Sequence, residues 1–280
     1  MKNKKHAIHP STVAAYIFAF AMAMVCLIPF YFMVLNTMKS RGELMMNGTF
    51  ALPKVFPNFS NYAEVLAGGF PRYFLNSLLV VGVSLILLLA VASCAAYPLA
   101  RFRFRFRQPV YMGIVACMSI PIHITLIPVF QMTKAFGLYD TIWALIGPNV
   151  AFAIPISVFL LTTFMAGIPK ELEDAAEIDG CGKFESFFRV ILPLSKPGLA
   201  TISIYNGVAI WNEFSFAYTL TQSVEMRTLP LAVWDFQGKY SSNTPMIMTV
   251  LTLSAIPMIL MYVIFQDGLV KGMTAGAVKG

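Results

Sequence analysis

The chain is short of charge. Asp, Glu, Lys and Arg make up 12% of its 280 residues, while apolar types make up 58%. Soluble domains carry about 25% charged residues, and no soluble core could hide this much apolar surface, so the class is a polytopic membrane protein. Cysteine is scarce too. Cys26, Cys94, Cys117 and Cys181 contain no Cys-x-x-Cys pair, so neither a disulfide framework nor a zinc site is indicated. No Ser/His/Asp or paired-carboxylate arrangement stands out, so no hydrolase site is expected. A phosphate-binding loop is missing as well. Gly182-Lys183-Phe184 and Gly238-Lys239-Tyr240 lack the hydroxyl residue and the first glycine that such a loop needs. The expectation is therefore no catalysis, no metal and no cofactor on this chain. Internal repeats of the kind many secondary transporters show are not evident either.

Long charge-free runs are what the sequence has in abundance. A charge at the bilayer centre costs roughly 2.5–3.5 kcal/mol, and a helix needs about 20 residues to cross. Charge-poor intervals predict six spans at about 12–35, 73–100, 109–130, 141–168, 197–220 and 246–265, with Glu213 the single carboxylate inside one. Lys2, Lys4 and Lys5 before the first run resemble a signal peptide, but the run is too long for one and reads as an uncleaved span. The tails are 1–11 and 271–280, and a loop at 169–196 joins spans four and five. With the N-terminus inside, thirteen Lys and Arg fall on the inner side and seven on the outer. The positive-inside bias thus predicts both termini and the 169–196 loop in the cytoplasm.

The net charge of +7 could suggest nucleic acid. The alternation Arg101-Phe102-Arg103-Phe104-Arg105-Phe106-Arg107 could be read as a strand or a basic–aromatic surface. It joins two spans, so it reads instead as a topology anchor, with arginines reaching lipid phosphates; no nucleic acid is expected. Pro29, Pro98, Pro121, Pro128, Pro148, Pro155 and Pro257 fall inside spans and bend or break helices. Kinks suit a protein that opens and closes. Of the outer segments, Asn36 to Arg72 and Thr221 to Pro245 are long, and could meet an external partner or cap the bundle; Gln131 to Asp140 is short.

The loop between spans four and five holds Glu171-Leu172-Glu173-Asp174-Ala175-Ala176-Glu177-Ile178-Asp179-Gly180. Leu172, Ala175, Ala176 and Asp179 recur at helical spacing, acidic neighbours suit a helix N-terminus, and Gly180 permits a reversal. Phe184, Phe187 and Phe188 predict the apolar side of a second short helix, limited by Pro193 and Pro197. A charged helix outside the membrane is most simply a docking surface for a soluble partner.

Asp174-Ala175-Ala176, Gly180 after three residues, Val190 nine further on, then Leu192-Pro193 resembles the Glu-Ala-Ala motif of importer-type ABC permeases, with Asp174 for Glu and Val190 for Ile. Asn58-Phe59-Ser60-Asn61-Tyr62, Ala95 to Arg101, Gly137 to Thr141, Trp211-Asn212-Glu213-Phe214 and the Gly272–Gly280 tail are similar to the second permease subunit of maltose-type carbohydrate importers. That resemblance implies an all-α, six-helix type I importer permease in a bacterial cytoplasmic membrane, with a coupling helix between helices four and five. It implies a homologous permease as heterodimer partner, two ATPase subunits that hold ATP and Mg, and an external substrate-binding protein. The residues expected to meet the ATPase are Glu173, Asp174, Ala175, Ala176, Glu177, Asp179, Gly180, Leu192 and Pro193.

Polar groups within the spans are the substrate-path candidates: Asn206, Trp211, Asn212, Glu213 and Tyr218 on the fifth, and His123 on the third. Aromatic faces and amides suit sugars. Each has a plainer role. Glu213 and the amides fit helix–helix polar contacts, and His123 fits a bond to a carbonyl freed by a proline. A proton-coupled secondary transporter using Glu213 and His123 is the competing reading.

Overall fold

The computed structural model describes residues 10–239 and 243–277, and the side chains of all these except 10, 11, 235, 237, 239 and 265–277. The tail lysines Lys2, Lys4, Lys5 and Lys279, and Tyr240, lie outside the described residues. Helices in chain order are α1 Pro10–Thr37, α2 Arg41–Asn47, α3 Ser60–Ala67, α4 Phe70–Arg101, α5 Arg107–Ala116, α6 Leu126–Ala135 and α7 Trp143–Ala166. After them come α8 Glu171–Ile178, α9 Lys183–Ser186, α10 Leu192–Leu194, α11 Lys196–Trp211, α12 Ser215–Leu220, α13 Leu229–Lys239 and α14 Thr244–Ala277. No strand occurs among the described residues.

The chain divides into two compact units. The first comprises residues 1–69 and 235–253. Its α1 is apolar all round, with Tyr16, Ile17, Phe18 and Phe20 exposed; such a face belongs in lipid or against another chain. Carbonyls left open at a helix C-terminus need donors. Asn61 of α3 supplies them, donating to the Thr37 and Lys39 carbonyls at 2.7 and 2.9 Å. The buried Lys39 ammonium donates to the Gly48 and Thr49 carbonyls. Asn36 to Arg72 is therefore a structured segment carrying α2 and α3.

The second unit, residues 70–234 and 254–280, is built on α4 and α7, which pack along each other, with α11 against both. A Cβ on Gly198 would stand 2.9 Å from the Phe164 ring, so only glycine lets α11 approach α7 this closely. Ala92, Ala96, Tyr97 and Leu99 of α4, Val158, Leu161 and Met165 of α7, Phe187, Ile191 and Ile202 form one buried cluster. It sits beside the end of α4 that carries Arg101.

Two predicted spans are not single helices. The third is α5 and α6, each extended by a 3-10 turn, meeting at 93°. The break is Ile120-Pro121, both extended; proline lacks a donor and pushes its predecessor out of the helical region. The fifth consists of Lys183–Leu194 and Lys196–Trp211 meeting at 68°. It ends at Trp211, where residues to 220 were expected, and α12 follows a short break. Four helices are long and apolar enough to cross a membrane, or up to six if each bent pair counts as one span. The alternating Arg–Phe segment is not a strand; it leaves α4 as coil and re-enters a helix at Arg107.

Candidate functional site

The acidic helix α8 is closed by a reversal that its sequence dictates. Gly180 has φ +90°. Cys181 N donates to the Ala176 carbonyl at 2.9 Å and Gly180 N to that of Glu177 at 3.1 Å, the paired bonds of a glycine-terminated helix. Glu173 and Ala176 are buried, while Leu172, Ala175 and Asp179 face outward. The reason is electrostatic. A buried carboxylate needs a partner, and α4 ends on one: Arg101 Nε lies 2.6 Å from Glu173 Oε2, with side chains only 8% and 11% exposed. The contact is an ion pair by distance; its angle is not that of a hydrogen bond.

Arg101 holds a third element as well. Its two terminal nitrogens donate to the Ile168 and Pro169 carbonyls at 2.9 and 3.4 Å, beyond the C-terminus of α7. Tyr97, one turn earlier on α4, shares its hydroxyl proton between Glu173 Oε1 at 3.2 Å and the Lys183 carbonyl at 3.0 Å. The Tyr97 ring packs against Phe102 and Phe187 at centroid distances of 5.1 and 4.8 Å. One buried knot thus joins α4, the end of α7, α8 and the start of α9. The expectation that the arginines of this run reach lipid fails for Arg101, which is in this knot; Arg107 Nε donates to the Leu99 carbonyl at 2.7 Å.

Outside the knot, Glu171, Asp174, Glu177 and Asp179 project from α8 beside Leu172, Ala175, Ile178 and Phe184, all exposed. Ile178 is 87% and Phe184 77% exposed. The exposed pairs Lys170–Asp174, Lys183–Glu177 and Arg189–Glu185 are each worth about 0–1 kcal/mol and leave the tip acidic. Phe184, Phe187 and Phe188 meet ring to ring, with centroids 4.9 Å apart for Phe184–Phe188 and 4.8 Å for Phe187–Phe188, but only Phe187 is buried. After α9 a π-helical turn, Phe187–Ile191, buries Phe187 and Ile191 and leaves Phe188 outside. Leu192 is half-buried and Pro193 exposed.

The substrate-path candidates separate. Asn206 is buried and donates to Ser157 Oγ at 3.0 Å and to the Ile202 carbonyl; it ties α11 to α7. Trp211 is buried, edge-on to Phe74 at 5.8 Å. Asn212 is exposed and donates back to the Val208 carbonyl. Glu213 accepts from the backbone N–H groups of Phe216 at 2.7 Å and Ala217 at 3.2 Å, which opens α12 as a capping group. Tyr218 is exposed and stacks on Phe214 at 5.6 Å. His123 sits exposed in a 3-10 turn. No hydrogen bond among the described residues serves a proline-freed carbonyl through it.

At the other ends of α4 and α7, turns are fixed by bonds to backbone. Asp140 adopts φ +60°, and its Oδ1 accepts from Gln222 N at 2.8 Å, Ser223 N at 2.9 Å and Ser223 Oγ at 3.0 Å. Burial pushes this carboxyl up, but the three hydrogen bonds outweigh it and hold it below its ordinary value. Asn76 donates to the Glu225 and Arg227 carbonyls, and Leu229 N donates to Ser77 Oγ.

Sequence reasoning missed the joint role of Tyr97 and Arg101. The available signal was helical phase: Glu173 stands three residues before Ala176, on a face of α8 that has a small residue for close approach.

Comparison with known proteins agrees with this architecture. The ABC transporter permease protein ORF2 of Caldicellulosiruptor sp. (strain Rt8B.4) is 47% identical over 265 residues, covering 95% of this chain and 96% of that one. The melibiose/raffinose/stachyose import permease protein MelC of Bacillus subtilis (strain 168) is 34% identical over 90% of this chain and 91% of its own. Among solved structures, a chain of a bacterial ABC transporter involved in the import of the acidic polysaccharide alginate shares the fold, with a TM-score of 0.78 at 23% identity over 95% of this chain and 99% of that chain. Residues 88–275 match one family over more than half the chain. The chain belongs to the family of binding-protein-dependent transport system inner membrane components.

Proposed function

We propose that the chain is a pore-forming, non-catalytic permease subunit of an ATP-driven importer for a sugar or oligosaccharide. Relatives named for sugar import support the substrate class. On this reading it pairs with a homologous permease, two ATPase subunits bind ATP and Mg, and a substrate-binding protein docks on the outer side. Both termini and α8 are then cytoplasmic.

The observation that carries the reading is the pairing of an exposed tip with a buried root. Asp174, Ala175, Glu177, Ile178 and Asp179 offer an acidic and apolar surface to the ATPase. Glu173 is the root, fixed by Arg101 and Tyr97. A displacement of the tip cannot be absorbed by a loose loop; it is handed to α4 and to the end of α7. Asn212, Glu213, Tyr218 and His123 remain the candidates for the substrate path. No observation favours the proton-coupled alternative, since Glu213 is engaged with the backbone of α12.

The test is purification from the native host in mild detergent. A second permease and an ATPase should co-purify, and sugar uptake in proteoliposomes should require ATP on the α8 side. Uphill transport by the chain alone would overturn the proposal.

A further inference from the structure

The segment between α1 and α3 carries its apolar side chains on the outside. Met45, Met46, Phe50, Leu52, Val55 and Phe56 are all exposed, Met46 by 80% and Phe56 by 73%. From 45 to 59 the sequence holds a single charge, Lys54. An exposed apolar surface of this kind marks contact with a protein or a membrane. Two observations point to the membrane. The first is how the backbone is satisfied. Water supplies partners to a soluble loop, whereas a chain in lipid must supply its own. Here the buried Lys39 ammonium serves the Gly48 and Thr49 carbonyls, and Gly48 N donates to the Leu44 carbonyl. The Lys54 N–H donates to a Glu43 carboxylate oxygen, and Asn61 closes the Thr37 and Lys39 carbonyls. Polar groups thus face one another while apolar side chains face out. The second observation is depth. The Phe50 ring meets the Phe32 ring at 5.6 Å. Phe32 lies five residues before the end of α1, about 7.5 Å back along its axis, and Thr12–Thr37 is long and apolar enough to cross a membrane. The segment therefore folds back beside the span. Its outer surface continues that of α1, where Tyr31 and Val34 are also exposed.

We propose that residues 45–56 insert into the leaflet at the C-terminal end of α1, with the upper part of the lipid acyl chains as their partner. Apolar side chains sunk to the boundary between headgroups and acyl chains hold a segment there in proportion to the area they bury. The exposed Lys54 has a stem long enough to return its ammonium to water. The inserted segment forms a collar on the end of α1 and fixes the depth of that helix. The proposal needs only that α1 spans the membrane; that this leaflet is the outer one rests on the orientation proposed above.

The test is tryptophan fluorescence of the full chain, purified with any companion chains and reconstituted in phosphatidylcholine vesicles. Phe56→Trp and Met46→Trp each add one reporter at an exposed position, over the wild-type signal of Trp143, Trp211 and Trp234. The added emission should shift to the blue and be shielded from aqueous iodide. Phosphatidylcholine brominated near the headgroup end of its acyl chain should quench it more than lipid brominated near the methyl end. Glu64→Trp, at an exposed position of α3, should behave oppositely, with iodide quenching and little response to bromine. Two reporters are used so that a folding failure in one leaves the other. Added emission quenched by iodide and not by bromolipid overturns the proposal, because the segment then faces water. Emission shielded from both quenchers also overturns it and assigns the surface to a companion chain. No ATP or sugar enters the measurement, so its failure leaves the importer reading intact, and failure of co-purification leaves the depth of the segment measurable.

Discussion

The two ends of the α4–α7 pair are fixed by different chemistry. At the Asp140 end, side chains bond to backbone: Asp140 to Gln222 and Ser223, Asn76 to Glu225 and Arg227, Ser77 to Leu229. Such bonds set the shape of turns. They join fixed points, some at the surface, as Asp140 to Gln222, and some buried, as Ser77 to Leu229. At the α8 end, a buried ion pair and a shared tyrosine proton join separate helices. A buried pair stabilises little in net terms, because desolvation opposes it, but breaking it by removing one partner is expensive. The α8 end is thus held together as one packed unit, and the Asp140 end holds turn geometry.

The sharpest way to break this contrast is Glu173→Gln, which leaves the Arg101 charge buried without its partner. The expected cost is about 3–5 kcal/mol, read as a lower thermal midpoint in detergent, together with a large loss of sugar taken up per ATP hydrolysed in the reconstituted complex. Replacing both Arg101 and Glu173 with Met should recover most of the stability and leave uptake uncoupled. Recovery of coupling in that double variant would show that packing alone transmits the motion. Tyr97→Phe comes next. It keeps the ring between Phe102 and Phe187 and removes one donor from two acceptors, so stability should fall by about 1–3 kcal/mol. Coupling should fall with it, whereas Asp140→Asn should spare coupling.

Gly180→Ala has a smaller expected effect. A Cβ there meets nothing within 4 Å, so the cost is confined to the positive φ, about 1–2 kcal/mol. The reversal after α8 should loosen and co-purification of the ATPase should weaken, with the spans intact. Full ATPase retention in this variant would argue that the tip docks without a fixed α8 terminus.

Much of this could be read from residues alone. The charge-free runs at 12–35, 73–100, 141–168 and 246–265 fall on the long apolar helices α1, α4, α7 and α14, because an apolar helix of that length leaves a strong compositional trace. The acidic motif and Gly180 gave α8 and its end. The break at Pro121 was signalled by proline, but proline does not say whether a helix bends or stops, and here the backbone stays extended through Ile120 and Pro121. Helical spacing does not say which face of α8 turns inward; Arg101, a residue seventy-two positions from Glu173, sets that. Asn206 was legible as polar within a span; that it meets Ser157 depends on how closely α11 approaches α7 at Gly198.

The smallest effect tests the Asp140 end by pH. The Asp140 carboxyl is held below its ordinary 3.8 by hydrogen bonds to Gln222 and Ser223 that outweigh the effect of burial. A depressed folded value means that the unfolded chain takes up the proton first as pH falls. The stabilising contribution is therefore complete at neutral pH, begins to erode near the ordinary value, and is gone once pH passes the depressed one. Thermal midpoints measured from pH 7 down to pH 3 should fall less steeply in Asp140→Asn than in the wild-type chain, since the amide oxygen still accepts from the same N–H groups and does not titrate. Glu173→Gln should leave that acid difference in place, because the two ends share no titrating group. If the Asp140 variant instead changed sugar uptake per ATP, the division of labour between the ends would be wrong, and the turn at Asp140 would belong to the moving part of the permease.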